Sequence, residues 1–165
     1  MITQNELSVV RERIVTLLQE LAPIGVRLVE REGWDPERVQ GAMDGYGKYL
    51  ILLHVHPNTS LVPSEDIDQI WHDHILWTER YGGDCHDIFG RFIHHYPCFN
   101  MSDSDELQEQ YDRRENTKQL FWEEFGVIPP SYDYGAGSGV AGIDHEVNKG
   151  KPKPPPCGGC NCYKT

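Results

Sequence analysis

Histidines and acidic residues are concentrated between Asp68 and Pro97. This stretch holds five of the eight histidines of the 165-residue chain, two of its four tryptophans and one of its five cysteines. A buried imidazole needs a hydrogen-bond partner or a metal ion, because an unpaired polar group inside a protein costs free energy. Neutral imidazole and carboxylate are also ligands of divalent transition metals. The composition of the stretch therefore predicts a metal site.

Helical spacing indicates which of these side chains can act together. Asp68 and His72 are four positions apart and share one face of a helix, whereas His74 points about 200° away from His72. If a helical hairpin follows about Gly82 and Gly83, His95 returns to the level of Asp68, and the adjacent His94 points to the side of the same face. The predicted metal ligands are Asp68, His72 and one or both of His94 and His95, with His74 as the next candidate. Zinc is the favoured ion, and iron or copper suits the same ligands.

Each of these histidines also has a structural interpretation. A single histidine on an apolar helix face is usually a core residue bonded to a carbonyl group. Cys85 is predicted to be a buried core thiol, since free cysteine behaves as a small apolar side chain. His54 and His56 are predicted to end a helix at the level of the metal site. His86, which lies beside an aspartate, is predicted to face solvent.

The end of the chain has a different composition. Residues 131–165 are rich in Gly, Ser, Pro and Lys, and such a segment cannot bury enough apolar surface to become ordered. We therefore predict a helical domain over residues 1–130 and a flexible tail over 131–165. The tail ends in a C-x-x-C-x-C motif formed by Cys157, Cys160 and Cys162. These thiols could hold a soft metal ion, undergo modification by another enzyme, or belong to an unstructured reduced tail.

Apolar residues elsewhere recur at three- and four-residue steps, which predicts an all-α bundle of about five helices. The predicted helices cover residues 5–21, 36–56, 64–78, 84–95 and 102–125. Pro23 is predicted to end the first, and Asp35 and Ser64 to cap the second and third. A tight turn is predicted at Gly82 and Gly83, and Trp71 and Phe92 are predicted core anchors on facing helices.

Three glycines in the second predicted helix, Gly41, Gly45 and Gly47, predict a close approach of another helix. Glycine costs roughly 1 kcal/mol relative to alanine inside a helix, so its use suggests that space is short on that side.

Charge and composition exclude several function classes. The chain has 26 acidic and 15 basic side chains and a net charge of −11, which argues against nucleic acid or an anionic membrane as a partner. No apolar run approaches the roughly 18 residues of a membrane span. The odd number of cysteines, three of them at the C-terminus, is a poor disulfide framework. We therefore expect a cytoplasmic protein.

The stretch from the second to the fifth predicted helix resembles a known family. The resemblance covers roughly residues 39–125 and is carried by Asp68, Trp71, His72, His74, Tyr81, Asp84, Cys85, Phe89, Gly90, His94, His95 and Pro97. On these residues the chain resembles the bacterial glycine-rich domain-containing protein-like family, which is related to a domain of plant glycine-rich domain proteins. The resemblance implies no particular activity.

These observations lead to two functional hypotheses. The first is a metal-binding helical protein with an open coordination position, compatible with a metal-dependent oxidoreductase or hydrolase. The second is a noncatalytic interaction module with structural histidines, whose cysteine tail docks on a partner or is modified by another enzyme. A third possibility, metal delivery from the tail to the helical site, combines the two. No Ser-His-Asp set, phosphate loop or dinucleotide fingerprint points to another enzyme class.

Overall fold

The computed structural model describes residues 3–95 and 104–133. These ranges contain six α-helices and one short 3-10 helix, and no β-strand lies within them, so the predicted all-α class is confirmed. The elements in chain order are α1 (Gln4–Glu20), α2 (Ala22–Glu32), α3 (Pro36–Val55), α4 (Glu65–Leu76), α5 (Thr78–Phe89), α6 (Ser104–Phe125) and η1 (Pro130–Tyr132). Residues 134–165 of the predicted tail and the predicted helix start at Ser102 lie outside the described residues. Ser131 and Tyr132, which the prediction assigned to the tail, belong to η1 and are buried.

A second helix follows the first almost directly in the N-terminal region. The chain turns at Leu21 and continues at once as α2, which the sequence pattern did not predict. Pro23 lies in the first turn of α2, where a missing backbone N–H costs nothing because that group has no partner inside the helix. The proline therefore begins a helix here. Helix α2 ends at Gly33, whose φ of 70° is the left-handed conformation that favours glycine.

Helix α3 is central to the bundle and contacts α1, α2, α4 and α6. Its predicted cap is confirmed, since the Asp35 side chain accepts a hydrogen bond from the backbone N–H of Glu37. A methyl group at Gly45 would lie 3.1 Å from the Ile67 side chain of α4, and one at Gly47 would lie 2.7 Å from the Leu18 side chain of α1. Two of the three glycines thus permit the close packing that was predicted.

The break between α4 and α5 falls at Trp77, five residues before the predicted turn. Gly82 and Gly83 lie inside α5, so the turn prediction was wrong. The buried face of α5 runs through Tyr81, Cys85 and Ile88, at the four- and three-residue steps of a helix, and passes directly across the glycines. Burial of this face outweighs the low helix propensity of the two glycines.

The segment after α5 is not helical. Gly90, with a φ of 67°, caps α5, and residues 91–95 continue without regular structure, so the predicted helix over 84–95 was wrong in its limits. Phe92 is 49% exposed, and its predicted role as a core anchor was therefore also wrong. Ile93 is the residue of this segment that enters the core, where it is 2% exposed.

Helix α6 and η1 close the bundle beside the loop between α3 and α4. The Tyr132 hydroxyl donates to the Val62 carbonyl over 2.8 Å, and the hydroxyls of Ser64 and Ser131 share a hydrogen bond of 2.6 Å. Ser64 is also the predicted cap of α4 and accepts from the backbone N–H of Ile67. Within the described ranges, none of the helices combines the length and apolar character needed to cross a bilayer.

Candidate metal centre

Asp68 and His72 form the helical half of the site. Asp68 lies in the first turn of α4, where the positive end of the helix dipole stabilises a carboxylate, and its side chain is 5% exposed. One turn later, His72 Nδ1 lies 3.7 Å from Asp68 Oδ2. The predicted pairing of these two side chains on one helix face is therefore confirmed.

His95 completes the cluster from the segment that follows α5. Its Nε2 lies 3.0 Å from Asp68 Oδ1, and its ring centroid lies 4.4 Å from that of His72. The prediction that His95 meets Asp68 was correct. The predicted helix that would carry His95 was wrong, because a non-helical segment brings His95 to Asp68. His95 and Asp68 are nearly buried, whereas His72 is 45% exposed. The cluster thus lies at the edge of the core, with His72 at the surface.

The dimensions of the cluster suit a metal ion. One ligand atom from each of Asp68, His72 and His95 can be chosen so that all three lie within 4.8 Å of one another. Ligands about 2.1 Å from a tetrahedral ion are separated by roughly 3.4 Å, and the two imidazoles lie 3.0 and 3.7 Å from the two different oxygens of the Asp68 carboxylate, Oδ1 and Oδ2. Among the described residues, this is the one group of three or more such side chains with metal-ligand spacing.

His74 lies elsewhere, on the core side of α4. Its Nδ1 lies 2.8 Å from the Tyr46 hydroxyl, and its Nε2 lies 2.9 Å from Asp84 Oδ2. Both ring nitrogens are therefore occupied by protein partners, and His74 does not belong to the cluster. Burial lowers the pKa of His74, while the carboxylate of Asp84 acts in the opposite direction. Arg80 pairs with Asp84 and also with Glu20, so the network extends to the surface.

His94 does not join the cluster either. It is exposed, and its ring packs against Phe92, with ring centroids 4.9 Å apart. His56 Nε2 lies 3.6 Å from Glu124 of α6, and the centroid of the His54 ring lies 6.2 Å from that of Phe89. Neither histidine belongs to the cluster, so the prediction that they end at the site was wrong. His86 is exposed, in agreement with the prediction. His145 and the three cysteines of the tail lie outside the described residues.

Cys85 is a core residue, as predicted. It is 2% exposed, and burial raises the pKa of its thiol, while contacts with the backbone of Ile93 and the Tyr81 side chain partly offset that effect. A thiol with a raised pKa is mostly protonated near neutral pH and is therefore a poor nucleophile and a poor metal ligand.

Sequence reasoning did not identify the partners of His74 or the aromatic neighbour of His95. Tyr46 and Asp84 bond His74, and Trp71 lies against His95 with ring centroids 4.7 Å apart in an edge-on arrangement. Tyr46 is 28 residues from His74, and Asp84 is ten residues from it across the break between α4 and α5. No local spacing signals such pairs, because they depend on how the helices pack.

Comparison with known proteins identifies a family for this chain. A protein-family model described as UCP032817-like matches residues 27–120, which is more than half of the chain and includes the whole cluster. The resemblance to the glycine-rich domain-containing protein-like family was therefore wrong, because the matching family is a different one and has no assigned function. No curated protein and no solved structure matches the chain.

Proposed function

We propose that this chain, which belongs to the UCP032817-like family, binds one divalent transition-metal ion through Asp68, His72 and His95. The observation that carries the proposal is the convergence of one carboxylate and two imidazoles, all within 4.8 Å, from two separate parts of the chain. A pair four residues apart on one helix arises often by chance. The arrival of His95 at the same carboxylate supports a built site.

The ligand set restricts which ion can bind. Two neutral imidazoles and one carboxylate suit zinc, and the same set is typical of non-haem ferrous iron. The softest ions are less well matched, because the buried Cys85 thiol is not part of the cluster. We therefore place zinc first and ferrous iron second, with copper as the remaining alternative.

Three protein ligands are typical of catalytic metal sites, since structural zinc sites have four. A bound ion with an open position would supply Lewis-acid or redox chemistry, which corresponds to a hydrolase or an oxidoreductase. His72, which is 45% exposed, lies on the side from which water or a substrate could reach the ion. Asp68 and His95 would hold the ion from the core side, where their near-complete burial restricts their movement.

A second candidate is a metal-free structural role for the same residues. The distance of 3.0 Å between His95 Nε2 and Asp68 Oδ1 is that of an ordinary hydrogen bond, which pairs the two side chains without a metal ion. In this case the cluster would fix the segment after α5 onto α4. The two candidates differ in what His72 does, because the hydrogen bond between His95 and Asp68 does not involve it.

The deciding experiment is elemental analysis of the full-length protein, purified without a metal-affinity tag, together with titration of zinc and ferrous iron by calorimetry. We expect close to one ion per chain in the wild type. The variant His72→Ala should lose the ion while its helical circular dichroism remains unchanged. His86→Ala is the matched control, because His86 is an exposed histidine on α5 that lies outside the cluster.

Further variants test the membership of the site. His95→Ala should also abolish binding, whereas His94→Ala should retain the ion, although the sequence pattern places both histidines among the candidate ligands. Absence of any ion from the wild type, with no binding in the titrations, would support the structural candidate. Retention of the ion by both His72→Ala and His95→Ala would place it elsewhere and contradict the proposal.

A further inference from the structure

The two halves of the proposed site are held in place by different means. Asp68 and His72 belong to α4, so the backbone hydrogen bonds of the helix fix their spacing. His95 lies five residues beyond Gly90, which caps α5, in a segment with no regular structure. A metal site needs all its ligands in fixed positions, so other contacts must hold this segment.

A chain of two buried hydrogen bonds supplies such contacts. Trp71 Nε1 donates to the Tyr81 hydroxyl over 2.9 Å, and that hydroxyl donates to the Ile93 carbonyl over 2.6 Å. All three residues are at most 2% exposed. The Tyr81 hydroxyl is therefore both acceptor and donor, and it connects α4 and α5 to the segment two residues before His95.

Trp71 links this chain of hydrogen bonds directly to the site. It lies on α4 between Asp68 and His72, and its ring packs edge-on against the His95 ring at a centroid distance of 4.7 Å. The indole thus contacts the ligand itself through its ring and the ligand's backbone segment through Tyr81. A shift of the Ile93 carbonyl would change both the height of His95 above α4 and its angle to the indole.

We infer that Tyr81 is a positioning residue for the metal site: its hydroxyl places His95 within reach of Asp68 and His72. This inference rests on the proposed function for its effect on metal affinity. Tyr81 does not contact the ion, and it acts through the backbone of Ile93. Groups that orient metal ligands from outside the coordination sphere typically change metal affinity by 10- to 100-fold when removed.

The test compares two variants that each remove one buried hydroxyl. Tyr81→Phe keeps the aromatic ring. It removes both the hydrogen bond from Trp71 Nε1 and the hydrogen bond to the Ile93 carbonyl. Tyr49→Phe is the matched control, because Tyr49 is equally buried, packs against the same indole at 5.6 Å, and bonds the Leu61 carbonyl, outside the site. We expect Tyr81→Phe to raise the Kd for zinc about tenfold or more, and Tyr49→Phe to leave it within about twofold.

A second readout does not depend on metal binding. In the metal-free protein, the Trp71 ring should shift the His95 ring resonances in the proton NMR spectrum, and nuclear Overhauser contacts should join the two rings. Tyr81→Phe should reduce the shift and weaken the contacts, and Tyr49→Phe should leave them unchanged. If the wild type binds no ion but Tyr81→Phe still shows this loss, the proposed function fails and the positioning role stands.

Two results would overturn the inference. The first is a Tyr81→Phe protein with unchanged His95 resonances and unchanged zinc affinity. The second is a Tyr81→Phe protein that does not fold while Tyr49→Phe folds normally, because the hydroxyl would then stabilise the whole domain and have no specific effect on His95.

Discussion

Two histidines on α4, only two residues apart, have opposite environments. His74 is 2% exposed and has a protein partner at each ring nitrogen, whereas His72 is 45% exposed and faces a carboxylate and a second imidazole. Helix geometry turns the two side chains about 200° apart, so one enters the core and the other lies at its edge. The comparison shows that a cluster of histidines in a sequence can divide into a structural residue and a candidate ligand.

The largest expected effect comes from removing the tryptophan that lies between these two regions. Trp71 is fully buried, so Trp71→Ala should lower the free energy of unfolding by about 3 to 5 kcal/mol. Phe92→Ala should cost far less, because Phe92 is 49% exposed. Urea unfolding followed by circular dichroism measures both. Equal losses for the two variants would contradict the burial of Trp71 and the exposure of Phe92.

Removal of the His74 side chain should have the next largest effect on stability, and removal of the His72 side chain should have little. His74→Leu leaves the Tyr46 hydroxyl and the Asp84 carboxylate without their imidazole partner, so we expect a loss of about 2 to 4 kcal/mol in the free energy of unfolding. His72→Ala should change it by no more than about 0.5 kcal/mol in metal-free buffer. Metal binding should show the reverse order. A strongly destabilised His72→Ala protein would remove the distinction between the two environments.

The buried histidine should also make stability depend on pH. Because burial lowers the pKa of His74 in the folded state, the unfolded chain binds more protons below the ordinary histidine value of about 6.5. The free energy of unfolding should therefore fall as pH decreases from that value towards the lowered pKa, by at most about 1.4 kcal/mol per pH unit from this residue. Denaturant unfolding with a chelator present, at a series of pH values, measures the dependence.

The contribution of His74 is isolated by comparing variants. His74→Leu should show a weaker pH dependence than the wild type over the same range, because the buried imidazole is the group that it removes. Identical slopes for the wild type and His74→Leu would mean that His74 is not held neutral in the core.

The smallest effects concern the spacing between α3 and α4, which lets Tyr46 reach His74. A methyl group at Gly45 would lie 3.1 Å from Ile67, while one at Gly41 would meet nothing within 4 Å. We expect Gly41→Ala to raise the free energy of unfolding by about 0.5 to 1 kcal/mol. Gly45→Ala should raise the free energy of unfolding by less than this or lower it. It should disturb the surroundings of His74 more than those of the metal site. Thermal unfolding and zinc titration of the two variants provide the comparison.

Local patterns in the sequence determined the fold class, two helix caps and half of the candidate site. The all-α class, the caps at Asp35 and Ser64, the buried Trp71 and the pairing of Asp68 with His72 all follow from spacings of a few residues. Such features depend on helix geometry and on the hydrogen-bonding needs of helix ends, which are the same in every protein. They can therefore be predicted without knowledge of the packing.

The tertiary structure decided the limits of α5, the existence of α2, the partners of His74 and the non-helical path by which His95 reaches Asp68. Gly82 and Gly83 are helical because the face through Tyr81 and Cys85 is buried, and burial is a property of the assembled core. His95 reaches Asp68 across 27 residues, and His74 reaches Tyr46 across 28. The partner of a buried imidazole is set by which helices pack together, and a spacing rule within one helix does not contain that information.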